Sequence, residues 1–254
     1  MIFDTHAHYD DKQFDPDRDE VLRSMEEQGV GTIVDASASV RSWERVLKLT
    51  EEYPFVYGMI GVHPDEVGDL NEERFQEMEE LLQRDKIVAV GEIGLDYYWD
   101  NESHDVQKYW FLRQLELARK LNLPVNIHSR EAAADTMEIL KEHGQGFKGI
   151  IHCYSYSKEM AEEYVKMGYL IGIGGVVTFK NGRKLKEVVE AIPMEHLVLE
   201  TDCPYLAPEP NRGKRNASHY LTYVAETIGQ LKGLTAEEVI AITEANAKAF
   251  YKLV

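Results

Sequence analysis

Two histidines, His6 and His8, end a short apolar-rich segment at the start of the chain. Side chains at positions i and i+2 of a strand point to the same face, so these two imidazoles can be directed at one point. Paired imidazoles are suitable ligands for a divalent metal ion. The same spacing also occurs in surface loops, so its interpretation depends on the rest of the chain.

The pattern of an apolar run that ends in a histidine or a carboxylate recurs along the chain. The later residues of this kind are His63, Glu92, His128, His152 and Asp202. A single histidine at a strand end is more often a hydrogen-bonded core residue than a ligand. Several such residues that converge on one end of a fold favour a metal site or a catalytic site.

The elements that must position these residues alternate between strand-like and helix-like segments. Most of the strand-like segments are continuous apolar runs, as is typical of parallel strands covered on both faces. The predicted strands are 2–8, 32–37, 56–62, 87–92, 125–128, 149–152, 169–173 and 197–202. The predicted helices are 17–28, 40–53, 71–84, 104–121, 130–143, 157–167, 182–191, 218–230 and 235–253.

Eight β/α units in a chain of 254 residues predict an α/β protein that forms a (β/α)8 TIM barrel, in one domain over residues 1–254. The alternative is an open doubly wound sheet, which requires a glycine-rich phosphate loop after the first strand. This chain has His6 and His8 there instead. Active sites of TIM barrels lie at the carboxyl ends of the strands, where the candidate residues fall.

Composition limits the setting and the partners. The formal net charge of −17 excludes a broad basic surface for nucleic acid, although bound cations and small basic loops can still accommodate a polyanion. We expect no membrane partner and no secretory leader, because no apolar run is long enough and the start lacks a basic segment. Cys153 and Cys203 are too few for a disulfide framework, and strand alternation predicts that both face the helix layer. We therefore expect a cytoplasmic protein.

Six segments together resemble the TatD family of metal-dependent deoxyribonucleases, across nearly the whole chain. They are FDTHAH (3–8), GVHP (61–64), GEIGLDY (91–97), PVNIHSR (124–130), IHCYS (151–155) and LETDCPYL (199–206). Their order at successive strand ends makes the resemblance specific. Two stretches near the predicted mouth depart from the family pattern, CYSYS (153–157) and RNAS (215–218), and they bear on substrate preference.

The resemblance implies a barrel of the metal-dependent hydrolase type that hydrolyses DNA phosphodiester bonds, often as an exonuclease. It implies that the metal ligands are His6, His8, Glu92, His128, His152 and Asp202.

Two-metal hydrolysis is the chemistry that these side chains suit. Glu92 has two carboxylate oxygens and can bridge a pair of ions. The other ligands are expected to divide into His6, His8 and Asp202 on one side and His128 and His152 on the other. Asp202 is also expected to accept a proton from the attacking water, with Glu200 in a supporting position. We expect two divalent ions per subunit, and Mg2+, Mn2+ and Zn2+ all remain open.

Candidate contacts to the substrate surround this centre. His63 is expected to contact the substrate or to support the ligands, and Arg130 to hold a phosphate oxygen or to pair with a rim carboxylate. Barrels often bind phosphate in the loops after the last two strands, and this chain has Arg212, Lys214 and Arg215 after the eighth. Aromatic residues near the mouth can stack on unpaired bases, which favours single-stranded DNA or frayed ends, although packing is their usual role. These are Tyr97, Tyr98, Trp99, Tyr154 and Tyr156.

Two other functions remain open from the sequence. One is a barrel hydrolase that uses the same metals on another ester, an amide or a phosphomonoester; the other is a metal-stabilised binding protein without catalysis. The basic loops favour a substrate that carries phosphate, and the complete ligand set favours catalysis. No obligate protein partner is expected.

Overall fold

Eight parallel strands lie side by side in chain order and form a barrel, as predicted. The computed structural model describes residues 1–99 and 101–253; Asp100 and Val254 belong to the predicted domain but lie outside the described residues. The strands are β1 (Ile2–Ala7), β2 (Val30–Ala36), β3 (Val56–Ile60), β4 (Ile87–Asp96), β5 (Val125–Arg130), β6 (Gly149–Ile151), β7 (Leu170–Ile173) and β8 (Leu197–Leu199).

Amphipathic helices surround the barrel. They are α1 (Arg18–Arg23), α2 (Trp43–Glu52), α3 (Glu72–Leu81), α4 (His104–Leu121), α5 (Ala133–His143), α6 (Lys158–Lys166), α7 (Arg183–Ala191), α8 (Leu221–Lys232) and α9 (Ala236–Tyr251). Thr235 and Glu238 form the capping box of α9, with both reciprocal hydrogen bonds present. In the described part of the chain, no helix combines the length and the apolar character needed to cross a bilayer.

Buried polar groups join β8 to β1 and close the barrel beside the candidate ligands. The carboxylate of Asp4 accepts hydrogen bonds from the Thr201 amide at 2.9 Å, the Thr201 hydroxyl at 2.6 Å and the Ser218 hydroxyl at 2.7 Å. The carbonyl oxygen of His6 accepts a hydrogen bond from the Asp202 amide at 3.0 Å. This seam fixes the first predicted ligand relative to the last.

The end of α9 fills the opposite opening of the barrel. Phe250 and Tyr251 pack against strand side chains that point inward, including Phe3, whose ring stacks on Tyr251 at 5.8 Å. Asn246 donates hydrogen bonds to the carbonyls of Met194 and Leu197 at the start of β8. The mouth formed by the carboxyl ends of the strands is therefore the end available for a site.

Most strand ends differ from the prediction by one residue or more, and the ends of β4, β5 and β8 bear on the site. β4 runs to Asp96 and β5 to Arg130, because residues 93–96 of β4 pair with residues 127–130 of β5. Gly94 and Asp96 in this stretch of β4 concealed the strand, because both residue types are uncommon in strands. Arg130 consequently belongs to a strand and not to the helix predicted over 130–143. β8 ends at Leu199, so Asp202 lies on the loop that follows and has φ of 57°.

Candidate metal centre

A cavity of about 840 Å3 opens at the carboxyl ends of the strands. It is lined by most of the predicted site residues, namely His8, His63, Glu92, His128, Arg130, His152 and Asp202. His6 is fully buried just behind His8. The fold thus brings the six predicted ligands from five separate parts of the chain to one place.

The first histidine pair is held with both Nε2 atoms facing each other. His8 Nδ1 donates to the Ala36 carbonyl at 2.8 Å, and His6 Nδ1 donates to Oδ1 of Asn126 at 2.8 Å. Because both oxygens only accept, the lone pairs of the imidazoles lie on the Nε2 atoms, which are 3.0 Å apart. Two lone pairs at this distance need a positive charge beside them, supplied by a proton or by a metal ion.

The pKa values of His6 and His8 agree with the presence of one positive charge between the two imidazoles. Burial lowers the pKa of His8, but hydrogen bonding to Asp202 and the charges of Glu92 and Asp202 outweigh burial and raise it to about 10. Burial and the neighbouring His152 lower the pKa of His6. In the protein alone, a proton on His8 therefore occupies the position that suits a cation.

Glu92 stands between two groups of histidines. Its Oε2 lies 3.5 Å from Nε2 of His6 and 3.6 Å from Nε2 of His8. Its Oε1 lies 2.7 Å from Nδ1 of His128 and 3.6 Å from Nε2 of His152. Burial raises the pKa of Glu92, but the surrounding histidines outweigh burial and hold it well below the usual range. A carboxylate with one oxygen directed at each group has the geometry to bridge two ions.

Asp202 and His152 complete the cluster. Asp202 Oδ1 is 3.4 Å from Nε2 of His8, 3.8 Å from Nε2 of His6 and 3.7 Å from Nε2 of His152. Glu200 Oε2 lies 3.2 Å from Nδ1 of His152, so its negative charge lies beside the imidazole whose other nitrogen faces the cluster. The rings of His152 and His6 stack at 3.6 Å, whereas the ring centres of His152 and His128 are 6.3 Å apart. His152 therefore lies nearer to His6 than to His128, with which it was expected to group.

This donor set fits divalent metal ions. Atoms within 4.8 Å of one another include the groups His6, His8 and Glu92; His6, His152 and Asp202; and His63, Glu92 and His128. Imidazole nitrogen combined with carboxylate oxygen suits Zn2+ or Mn2+, and carboxylates also bind Mg2+.

Asp96 is a residue that the sequence reasoning missed. Its Oδ2 lies 3.0 Å from Nε2 of His128, which leaves Nδ1 of that imidazole directed at Glu92. Its Oδ1 accepts hydrogen bonds from the amides of Tyr98 and Trp99 at 2.8 and 3.2 Å. The signal was present in the GEIGLDY segment, but the predicted strand ended four residues too early to place Asp96 at the rim.

His63 lies next to the ligands and has a defined hydrogen-bonding state. Its Nδ1 accepts a hydrogen bond from the Asp65 amide at 3.2 Å, so the proton of the imidazole is on Nε2. That Nε2 is 3.9 Å from Oε1 of Glu92 and faces the cavity. Burial and the neighbouring His128 lower the pKa of His63 to about 3. His63 therefore presents a hydrogen-bond donor.

The predicted basic contacts separate into two kinds. Arg130 lines the cavity, its guanidinium lies 3.8 Å from the centre of the Tyr98 ring, and no carboxylate of residues 1–99 or 101–253 forms an ion pair with it. Arg215 instead pairs with Asp17 at 2.6 Å. Arg212 lies over the Phe179 ring at 4.4 Å, and Lys214 donates to Asn211 at 3.1 Å. Among the described residues, none of these last three cations lines the cavity.

The aromatic and cysteine residues also divide. Tyr98 and Trp99 are 49% and 57% exposed, whereas Tyr97 stacks on His104, Tyr154 is buried and Tyr156 contacts Ser129.

The two cysteines lie in different surroundings. Cys203 is buried as expected. The expectation for Cys153 is wrong, because it lines the cavity. β6 ends at Ile151 and Cys153 has φ of 45°, so strand alternation no longer applies there.

Comparison with known proteins adds independent information. Residues 3–252 match the family described as TatD related DNase. The uncharacterized metal-dependent hydrolase YabD of Bacillus subtilis is 45% identical over 254 residues, which cover 100% of both chains. Deoxyribonuclease TATDN3 of Homo sapiens is 34% identical over 266 residues, with 99% of this chain and 95% of the human chain covered. The crystal structure of YJJV, a TatD homolog from Escherichia coli K12, has a TM-score of 0.93 at 30% identity and covers 100% of this chain and 98% of its own.

Proposed function

The chain belongs to the family of TatD related DNases and is a metal-dependent hydrolase, and on this premise we propose that it hydrolyses DNA phosphodiester bonds. The proposed activity is that of an exonuclease on single-stranded DNA or frayed ends, with two divalent ions per subunit. The name of the human relative, a deoxyribonuclease, supports this substrate.

The observation that carries the proposal is that Arg130 lies in the same cavity as the cluster of predicted metal ligands. The guanidinium of Arg130 lines the same cavity as Glu92 and Asp202. It forms no ion pair with any carboxylate of the described residues. In a chain with a net charge of −17, such a cation beside carboxylates suits a ligand that is itself anionic. A phosphodiester meets both requirements, because its oxygens suit divalent ions and its charge suits the guanidinium.

Each side chain has a role in this reaction. The two ions, when bound by the six predicted ligands, supply positive charge to the scissile phosphate and acidify water. Asp202 lines the cavity and accepts the proton of the attacking water. His63 donates from Nε2 to a phosphate oxygen, and Arg130 holds another. Asp96 and Glu200 keep His128 and His152 in the required orientation.

Hydrolysis of end-labelled DNA tests the proposal. The protein is stripped of metal and supplied with Mg2+, Mn2+ or Zn2+, and single-stranded oligonucleotides labelled at either end are compared with a carboxyl ester and a phosphomonoester. We expect successive removal of terminal nucleotides from the oligonucleotide, lost on chelation and in Glu92→Ala. Turnover of the carboxyl ester or the phosphomonoester without DNA hydrolysis, under all three metals, would overturn it.

A further inference from the structure

Two exposed aromatic side chains, Trp99 and Tyr205, face the same cavity from opposite sides. They are 57% and 49% exposed and both line the cavity. Trp99 follows β4 and Tyr205 follows β8. Since the strands lie in chain order around an eight-stranded barrel, β4 and β8 are diametrically opposed. The ligands Glu92 and Asp202 belong to the same two strand ends, so the metal centre lies between the aromatic side chains.

The Trp99 side is fixed in place by polar contacts. The carboxylate of Asp96 accepts hydrogen bonds from the backbone amides of Tyr98 and Trp99. The Trp99 ring contacts Tyr98 edge to face at 5.0 Å, and the guanidinium of Arg130 lies 5.4 Å from it. An indole beside a guanidinium offers a stacking surface next to a phosphate-binding group.

The Tyr205 side is fixed by a buried amide. Nδ2 of Asn216 donates to the carbonyls of Tyr205 and Thr201 at 2.8 and 3.0 Å, and the Tyr205 amide donates to the Asp202 carbonyl at 2.9 Å. The next residue, Leu206, is 37% exposed and also lines the cavity. Asn216 lies in the RNAS stretch (215–218), so this stretch supports the backbone that carries Tyr205.

Large aromatic side chains that are exposed at a cavity suit a ligand that covers them. We propose that Trp99 and Tyr205 are two separate stacking subsites for unpaired nucleobases, one on each side of the scissile phosphate. The unit that the site recognises is thus a dinucleotide rather than a terminal nucleotide alone. This inference rests on the proposed deoxyribonuclease function and deepens it.

Minimal substrates that lack one base separate the two subsites. The probes are the dinucleotide d(TpT) and two analogues in which a tetrahydrofuran abasic sugar replaces either the 5′ or the 3′ nucleoside. Trp99→Ala and Tyr205→Ala are compared with the wild type by kcat/KM. The matched control is Tyr109→Ala, which removes a tyrosine that is 49% exposed on α4 and, among the described residues, is not part of the cavity lining.

We expect each variant to lose about 10-fold in kcat/KM on d(TpT), in keeping with the loss of one stacked base. On the analogues the two variants should differ in opposite directions. Each should match the wild type on the probe that already lacks its base and fall on the other probe. Losses of both variants on the same analogue, equal losses on all three probes or a similar loss in Tyr109→Ala would overturn the assignment.

A binding measurement keeps the inference separate from catalysis. Of the three tryptophans, Trp43 and Trp110 are buried, so the exposed Trp99 reports stacking through its fluorescence. A methylphosphonate-linked dithymidine should quench the fluorescence of the wild type and of Tyr205→Ala but not of Trp99→Ala. Quenching without hydrolysis of d(TpT) would support the subsites and reject the proposed function. Hydrolysis of d(TpT) without quenching would support the proposed function and reject the stacking subsite at Trp99.

Discussion

Asp96 holds His128 in one orientation, with 3.0 Å between the carboxylate Oδ2 and the imidazole Nε2. The same carboxylate binds the backbone amides of Tyr98 and Trp99. One buried side chain therefore connects the candidate metal centre to the rim of the cavity. Its effects on metal binding and on substrate binding should be separable by experiment.

Replacing Asp96 with asparagine should weaken metal binding. The amide cannot attract the proton on Nε2 of His128 as a carboxylate does, so the imidazole loses its fixed tautomer and orientation. Loss of such a supporting partner costs about 10- to 100-fold in metal affinity. Titration of the stripped protein with Mn2+ measures the change. Asp105→Asn on α4 is the control, and equal affinity in Asp96→Asn and the wild type would contradict the assigned role.

His63 should act as a hydrogen-bond donor and not as a metal ligand. His63→Ala is expected to lower kcat by about 100-fold, the size of effect seen when one donor to a developing charge is removed. The number of metal ions bound per chain should stay the same. His63→Gln should recover part of kcat, because its amide can also donate. A missing metal equivalent in His63→Ala would mean that the imidazole is a ligand instead.

Asp202→Asn should reduce turnover more than oligonucleotide affinity. The amide keeps the shape of the side chain but cannot accept the proton of the attacking water. Comparison of kcat with the dissociation constant for a single-stranded oligonucleotide measures the two effects. A loss confined to affinity would make Asp202 a binding residue and place the base elsewhere.

Arg130→Ala should weaken oligonucleotide binding and reduce its dependence on salt. Each phosphate contact on a single strand contributes about 0.7 to the slope of log K against log salt concentration. The control is Arg74→Ala, which removes an exposed arginine that pairs with Glu77 on α3. An unchanged slope would show that Arg130 contacts no phosphate. Arg215 is not suited to this test, because its ion pair with Asp17 fixes the loop that carries Asn216.

The sequence predicted the barrel and the eight strands that carry or precede the candidate ligands, because apolar runs are local patterns. It did not predict where β4, β5 and β8 end, because strand ends depend on pairing with the neighbouring strand. It could not show which basic residues reach the cavity. Arg130 and Arg215 are both arginines near strand ends, and only their spatial neighbours, Tyr98 and Asp17, separate them. The hydrogen-bonding state of His63 was also inaccessible, because it depends on the Asp65 amide in a tight turn.

We propose that hydrolysis requires two divalent ions and that the Glu92 carboxylate would hold both of them. Stripped protein titrated with Mn2+ should bind two equivalents, and cleavage of a labelled single-stranded oligonucleotide should rise with the second equivalent. Glu92→Ala should fail to form the pair and lose several powers of ten in rate. Full cleavage with one equivalent, cleavage in excess chelator, or more than about a tenth of wild-type turnover in Glu92→Ala would contradict the claim.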